Sequence, residues 1–396
     1  MSSSLLRSAI VLGSLALIGP FAIDMYLPAM PAIAADLGVN ETAAQATITS
    51  YFIAFGLAQL VYGPWADQSG RKLPIYVGVG IFLVASAGAA WADSITQLIA
   101  WRFAQGLGGA VLMVLPRAII RDLHTGAEAT RLMAMIMLVI SISPMLAPLA
   151  GSGVLQVAGW RMIFVILFFA SFASLAMTAF LLPETLSVEH RVKVDLPSLT
   201  SHVKALLTDP GFMGLTFIGG FGMASFFVFL ASASFVYTGQ FGLSPTGFSL
   251  AFAINAIGFF AASQAAGPLA EKFGLSRVIH AGSAIFAAFA ILLLAIALGD
   301  GASLPVVVGL LFCANAGLGL VIPTTMVLAL DNHGDVAGLA SSLGGTLQML
   351  TGGVMIVAAS PFFDGTVTPM IAAIALCGVI SYALTVMTLQ RDKAAA

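Results

Sequence analysis

The chain has 396 residues, of which 60% are hydrophobic and 8% charged, and its formal net charge is -2. A soluble domain of ordinary composition carries about 25% charged residues, so this chain lacks the polar surface to cover a water-soluble globule and reads as a polytopic membrane protein. Its near-neutral balance, with no basic stripe interleaved with aromatics, speaks against a nucleic-acid partner, and Cys313 and Cys377 have neither metal-ligand nor disulfide spacing.

Taking apolar stretches of about 20 residues as spans, twelve helices are predicted, near 8–33, 43–65, 73–93, 96–120, 131–157, 161–183, 211–239, 246–270, 276–298, 303–330, 337–360 and 367–389. The first follows Arg7 in the manner of a signal peptide, but it continues through prolines and an aspartate without a small-x-small cleavage site and is read as an uncleaved span. On a continuous helix Gly13, Pro20, Asp24, Pro28 and Pro31 would share one sector. Asp24 is a carboxylate at membrane depth, where an ionisable group is costly and by default functional. The second span carries Tyr51 and Phe55 and ends in Gly63-Pro-Trp-Ala-Asp67-Gln-Ser-Gly70-Arg71-Lys72. Glycines there permit a tight turn and close helix approach, and Asp67 can pair with Arg71 or face a helix N-terminus.

The fourth span opens on Trp101-Arg102-Phe-Ala-Gln105-Gly106. Arg102 lies roughly 9 Å along that helix, within reach of the interface by snorkelling. The polar, small character of Gln105 and Gly106 instead suits a cavity wall in which Arg102 couples to Asp24. The fifth span contains Ser143-Pro144-Met-Leu-Ala147-Pro148-Leu-Ala-Gly151-Ser152-Gly153, a composition that favours close packing and a bend. The longest polar segment, from Glu184 to Asp209, reads as a linker, giving an N-terminal bundle at 1–183, a linker at 184–210 and a C-terminal bundle at 211–396.

In the second half the loop is echoed by Gly267-Pro-Leu-Ala-Glu271-Lys-Phe-Gly274, at the same place after the second span of its half. Asp209-Pro210 and Ser244-Pro245 each place a capping side chain before a proline at the first helical position. Phe226, Phe227, Phe229, Tyr237, Asn255, Gln264, Asn315 and Gln348 are possible cavity groups. Asn255 and Asn315 carry most weight, because an amide facing hydrocarbon is left unsatisfied at several kcal/mol. His124 and His333 fall near helix ends and read as solvated. No phosphate-cradling loop, metal spacing or Ser/His/Asp arrangement is present, so the chain is not read as an enzyme and no cofactor is expected. Of the 15 lysines and arginines, only Arg102 and Arg161 fall on the outer side if both termini are cytoplasmic, which is the orientation the positive-inside rule favours.

These motifs carry a family resemblance. The 63–72 loop resembles the signature loop of the major facilitator superfamily, with Ser69 where a bulkier residue is usual. Arg102-x-x-Gln105-Gly106 is similar to its helix-four motif, and 143–153 resembles its antiporter motif, with Ala147 and Ser152 where glycines are usual. With Asp24-Met-Tyr-Leu-Pro28-x-x-Pro31 and Gly222-Met-Ala-Ser-Phe-Phe-Val-Phe229, the chain resembles twelve-span drug:proton antiporters, specifically Bcr/CflA-like exporters of bicyclomycin and phenicols. The resemblance implies an all-α major facilitator fold of two pseudo-symmetric six-helix bundles, acting as a monomeric proton-coupled multidrug exporter in a bacterial inner membrane. Its partners would be small-molecule drugs, protons and the lipid bilayer.

Under that resemblance Asp24 and Arg102 would couple protons. Substrate would meet Tyr26, Tyr51, Phe55 and Gln105 in the first half, and Phe226, Phe229, Asn255, Asn315 and Gln348 in the second. Gating would involve Gly63, Asp67, Gly70, Arg71, Lys72, Asp122, Pro144, Pro148 and Gly151. The same aspartate would serve a proton symporter importing a small metabolite. A non-transporting membrane receptor fits the spans, but not the paired loops or the buried acid.

Overall fold

The computed structural model describes residues 3–124, 126–191, 196–331, 333 and 336–395. Fourteen α-helices and no strand occur among the described residues: α1 (Ser3–Asp24), α2 (Met30–Asp36), α3 (Glu41–Ser69), α4 (Lys72–Ala90), α5 (Ile95–Leu123), α6 (Gly126–Ala158), α7 (Arg161–Leu181), α8 (Leu196–Thr208), α9 (Pro210–Phe235), α10 (Pro245–Phe273), α11 (Leu275–Leu298), α12 (Leu304–Asp331), α13 (Ala337–Ala359) and α14 (Val367–Ala395). Among the described residues twelve stretches are long and apolar enough to cross a membrane, with α1 and α2 together forming the first, Arg7–Asp36. Each coincides with a predicted span to within a few residues. The predicted caps also form: Asp209 accepts from the backbone N–H groups of Gly211 and Phe212, and Ser244 from that of Gly247.

The chain divides into two compact units, Met1–Asp195 and Leu196–Ala396. The division falls inside the stretch expected to be a linker, but part of that stretch is the helix α8, which packs on α9 and α13. Lys193 and Asp195 lie outside the described residues.

In the first unit α5 packs against α3 and α4, and α1 lies on α5, α6 and α7. Glycines set the closest crossings. A Cβ on Gly106 would stand 2.3 Å from the Tyr51 carbonyl oxygen, and one on Gly108 would stand 2.4 Å from that of Gly78 and 2.6 Å from the Phe82 nitrogen. The second unit repeats the device, with a Cβ on Gly317 falling 2.7 Å from both the Gly282 carbonyl oxygen and the Phe286 nitrogen. The repeat seen in the loops therefore extends into the packing. Gly70, Gly78 and Phe82 match Gly274, Gly282 and Phe286 at one constant separation. Gly108 and Gly317 match at a slightly larger one, after α11, which has 24 residues against 19 in α4. Gly70 and Gly274 both adopt left-handed φ, 95° and 86°, which is why this turn takes glycine.

One expectation needs correcting. The first span is not a continuous helix: α1 ends at Asp24, a turn follows, and Leu27–Ala29 is a 3-10 turn leading into α2. Pro28 has no N–H to give the Asp24 carbonyl, and Pro31 none to give that of Leu27, so the ladder opens there. The shared sector of Asp24, Pro28 and Pro31 does not survive the break.

Candidate functional site

Asp24 is the only acid among the buried described side chains, with 5% of its surface exposed. It closes the last turn of α1, so burial and the negative end of the helix dipole both make its charge costly. It faces the Ser143 hydroxyl of α6, which falls short of full hydrogen-bond geometry. Eight residues further along α6, Gly151 lies against the chain just past Asp24, where a Cβ would stand 2.2 Å from the Met25 carbonyl oxygen. The proline- and glycine-bearing stretch of α6 is thus the wall against which the broken first span rests. Pro144 and Pro148 both lie inside α6, which continues through them. Ser143 was not singled out from sequence, because its partner lies more than a hundred residues away and a serine beside a proline carries no signal of its own.

Arg102 does not snorkel: it is fully buried. Nor does it form an ion pair with Asp24. One of its Nη1 bonds goes to the Ala22 carbonyl oxygen at 3.1 Å and another to Gln105 Oε1. Ala22 belongs to the last turn of α1, whose carbonyls lack intrahelical partners, so the guanidinium caps the helix that Asp24 terminates. Its carbon lies 4.5 Å from the ring centroids of both Tyr26 and Tyr51, and such desolvated cation–π contacts are worth about 2 kcal/mol. Nε and Nη2 make no hydrogen bond.

The predicted substrate contacts of this unit surround that cage. The Tyr26 hydroxyl bonds Thr47 at 2.6 Å, and Tyr51 stacks on Phe55 with centroids 5.9 Å apart. The Tyr51 hydroxyl is buried and makes no hydrogen bond, so the ring meets the guanidinium through its face alone. Gln105 donates to Ser86 at 2.9 Å while accepting from Arg102, so its amide is occupied in holding the guanidinium. Arg161, the other arginine on the expected outer side, binds Asp36 and stacks on Trp160 at 4.2 Å.

The 63–72 loop builds a second, charged cluster. Arg71 bonds Asp67 and, through Nε at 2.7 Å, Asp122 of α5. Lys72 turns instead to the Ala179 carbonyl oxygen at 3.2 Å, and Gly63 has open space where its side chain would be, so Gly63 is not the point of close approach. Gly70 is. A Cβ there would stand 2.7 Å from Glu184 Oε2.

Glu184 is a member of this cluster that sequence placed only in the linker. Its carboxylate accepts from the backbone N–H groups of Arg71 at 2.8 Å and Lys72 at 3.1 Å, capping α4 from the far end of α7. It also accepts from Thr185 and Leu186. Burial opposes its charge, but the four backbone donors outweigh burial and hold the carboxyl below its ordinary value. A group so shifted contributes stability above the ordinary glutamate value, and that contribution is lost as pH falls through the lowered folded value. Glu184→Gln keeps one acceptor oxygen but loses the other and the charge at the helix N-terminus, at a cost of about 1 kcal/mol. The expected result is a melting midpoint in detergent below the parent's at pH 7, with the gap closing at pH 3. A gap unchanged across that range would show that the charge does not contribute.

The second unit holds the remaining predicted residues. Phe226 stacks on Phe259 and Phe229 on Phe252, with centroids 6.2 and 5.7 Å apart. Asn255 donates to the Ala251 carbonyl oxygen at 3.1 Å and is met by Asn315 at 3.5 Å, while Gln348 lies against Gly219 and Thr325 is close by. His124 and His333 are not merely solvated: their ring nitrogens lie 3.0 Å from a Glu128 oxygen and 3.1 Å from an Asp209 oxygen. Asp209 lies 124 residues from His333, so a position near a helix end did not reveal that pair, whereas Glu128 stands only four residues from His124.

The chain is similar to several known proteins. The chain is 33% identical over 356 residues to an uncharacterized MFS-type transporter, YdgK, of Bacillus subtilis, covering 88% of this chain and 87% of that one. It is 29% identical over 372 residues to a bicyclomycin resistance protein homolog of Haemophilus influenzae, covering 94% and 93%. It is 32% identical over 292 residues to a chloramphenicol resistance protein of Pseudomonas aeruginosa, covering 73% and 68%. Its fold matches that of a D-xylose-proton symporter with a TM-score of 0.74 at 16% identity, over 98% of this chain and 97% of that one. A sequence model of the Major Facilitator Superfamily matches residues 12–356, and the chain belongs to that family.

Proposed function

We propose that the protein exports amphipathic drugs from a bacterial cell in exchange for protons, by alternating access, with Asp24 as the proton carrier. The observation that carries this reading is the isolation of Asp24: a buried acid at a helix break, without an ion-pair partner among the described residues. A carboxyl so placed can take a proton from one side and release it to the other as its surroundings change. Arg102 supplies a fixed positive charge at the end of α1, held by the Ala22 carbonyl oxygen and the Tyr26 and Tyr51 rings. The direction of transport follows the relatives, two of which are named for resistance to bicyclomycin and chloramphenicol.

In this reading both termini face the cytoplasm, and the 67–71–122–184 cluster holds the cytoplasmic end of the first unit in one arrangement. One proton crossing supplies about 2.3 kcal/mol per 100 mV of membrane potential, enough to concentrate an uncharged solute about 50-fold. The test is chloramphenicol flux in proteoliposomes under an imposed pH gradient. Drug should move against its own gradient in the direction opposite to protons. Flux with the protons would make the protein a symporter, and flux indifferent to the gradient would remove proton coupling.

A further inference from the structure

Helix α9 stops being α-helical at Phe235, and the next turn, Val236–Gln240, is π-helical. Such turns recur at functional sites because they re-aim one side chain at the cost of ladder geometry. The side chain re-aimed here is Tyr237. It is fully buried, yet its hydroxyl, turned toward Asn255, has no partner in hydrogen-bond geometry. The Ser234 hydroxyl, three residues earlier, is also buried and unpartnered. Asn255 and Asn315 are buried too, but the only contact between them is a long 3.5 Å one. Of the three, Asn315 keeps the most exposure, 8% against 2% for Asn255 and 0% for Tyr237. Aromatic rings enclose the group: Phe229 and Phe248 lie 6.2 and 5.9 Å from Tyr237.

Buried polar groups are ordinarily satisfied, and an exception calls for a reason. Here the Tyr237 phenol and the Ser234 hydroxyl have no partner, and the two amides meet each other only through that long contact, inside an aromatic wall. No carboxylate, guanidinium or ammonium occurs among the buried described residues of this unit, whereas the first unit buries Asp24, Arg71 and Arg102. We infer that Tyr237, Asn255 and Asn315 form a specificity-determining subsite that binds an uncharged amide or hydroxyl group carried on a flat aromatic ligand. The inference rests on the export reading only in making that ligand the cargo. Charge handling and neutral polar recognition are then divided between the two units.

The test measures equilibrium binding to the full-length protein in detergent, with no proton gradient. The probes are chloramphenicol, which is neutral and bears an amide and hydroxyls on an aryl ring, and tetraphenylphosphonium, a permanent cation without hydrogen-bonding groups. Tyr237→Phe and Asn315→Leu should each raise the dissociation constant for chloramphenicol about 5- to 10-fold, as loss of one hydrogen bond does, and leave that for tetraphenylphosphonium within about twofold. Absence of tetraphenylphosphonium binding to the parent would be the same selectivity in stronger form. Tyr237→Phe should also melt no lower than the parent, because it removes a hydroxyl that satisfies nothing in the folded protein. Unchanged chloramphenicol binding, equal losses for both probes, a lowered midpoint that accounts for the loss, or no chloramphenicol binding by the parent would each overturn the inference. Since binding needs no gradient, failure of proton coupling in the flux assay leaves this result standing, and the reverse.

Discussion

Asp24→Asn removes gradient-driven efflux while leaving the protein folded and able to bind drug. The substitution keeps side-chain size and a carbonyl that can still face Ser143, and it removes the one buried carboxyl that can exchange a proton. Because burial and the helix dipole make that charge costly, removing it should not destabilise, and the melting midpoint in detergent should be no lower than the parent's. In proteoliposomes the variant should show the same chloramphenicol flux with the pH gradient imposed as with it collapsed, while exchange of labelled for unlabelled drug continues. Gradient-dependent accumulation at the parent's rate would eliminate Asp24 as the carrier. Loss of both exchange and binding would instead assign it to the drug site.

The second large effect lies in the frame. Gly108→Ala places a methyl group where α4 and α5 touch backbone to backbone, 2.4 Å from the Gly78 carbonyl oxygen. Neither backbone can yield as a side-chain tip would, so the helices must separate, at about 1–3 kcal/mol, and Gly108→Val should cost more. Because α5 carries Arg102 toward one end and Asp122 at the other, separation displaces the guanidinium cage and the charged cluster together. The expected result is a lower melting midpoint and reduced flux, measured on the same detergent-purified preparation. Gly80→Ala is the control: it lies on α4 with nothing within 4 Å and should be neutral or slightly stabilising, since alanine favours a helix interior. If the two substitutions behaved alike, the crossing would not depend on Gly108.

The helices were legible in the sequence because hydrocarbon thickness imposes a length and a composition on every span, and the caps at Asp209 and Ser244 because their partners are two or three residues away. Asp24 was legible as an acid out of place. Its surroundings were less so. The pairing with Arg102 was argued from depth alone, but depth does not fix azimuth, and the guanidinium reaches the backbone of Ala22 instead. Reading 8–33 as one helix undercounted Pro28 and Pro31, whose missing N–H groups fall four residues after Asp24 and Leu27. Glu184, Ser143 and Tyr237 were passed over or undervalued for one reason: each takes its meaning from a residue in a distant segment, or from a π-turn that periodicity does not encode.

The matched glycine crossings of the two units have a historical consequence. Gly78 with Gly108 and Gly282 with Gly317 both bring backbone against backbone, at 2.4 and 2.7 Å from where a Cβ would stand, whereas among the described residues the buried ions occur in one unit alone. Duplication therefore copied an interhelical spacing, and the two copies diverged in chemistry on a shared geometry.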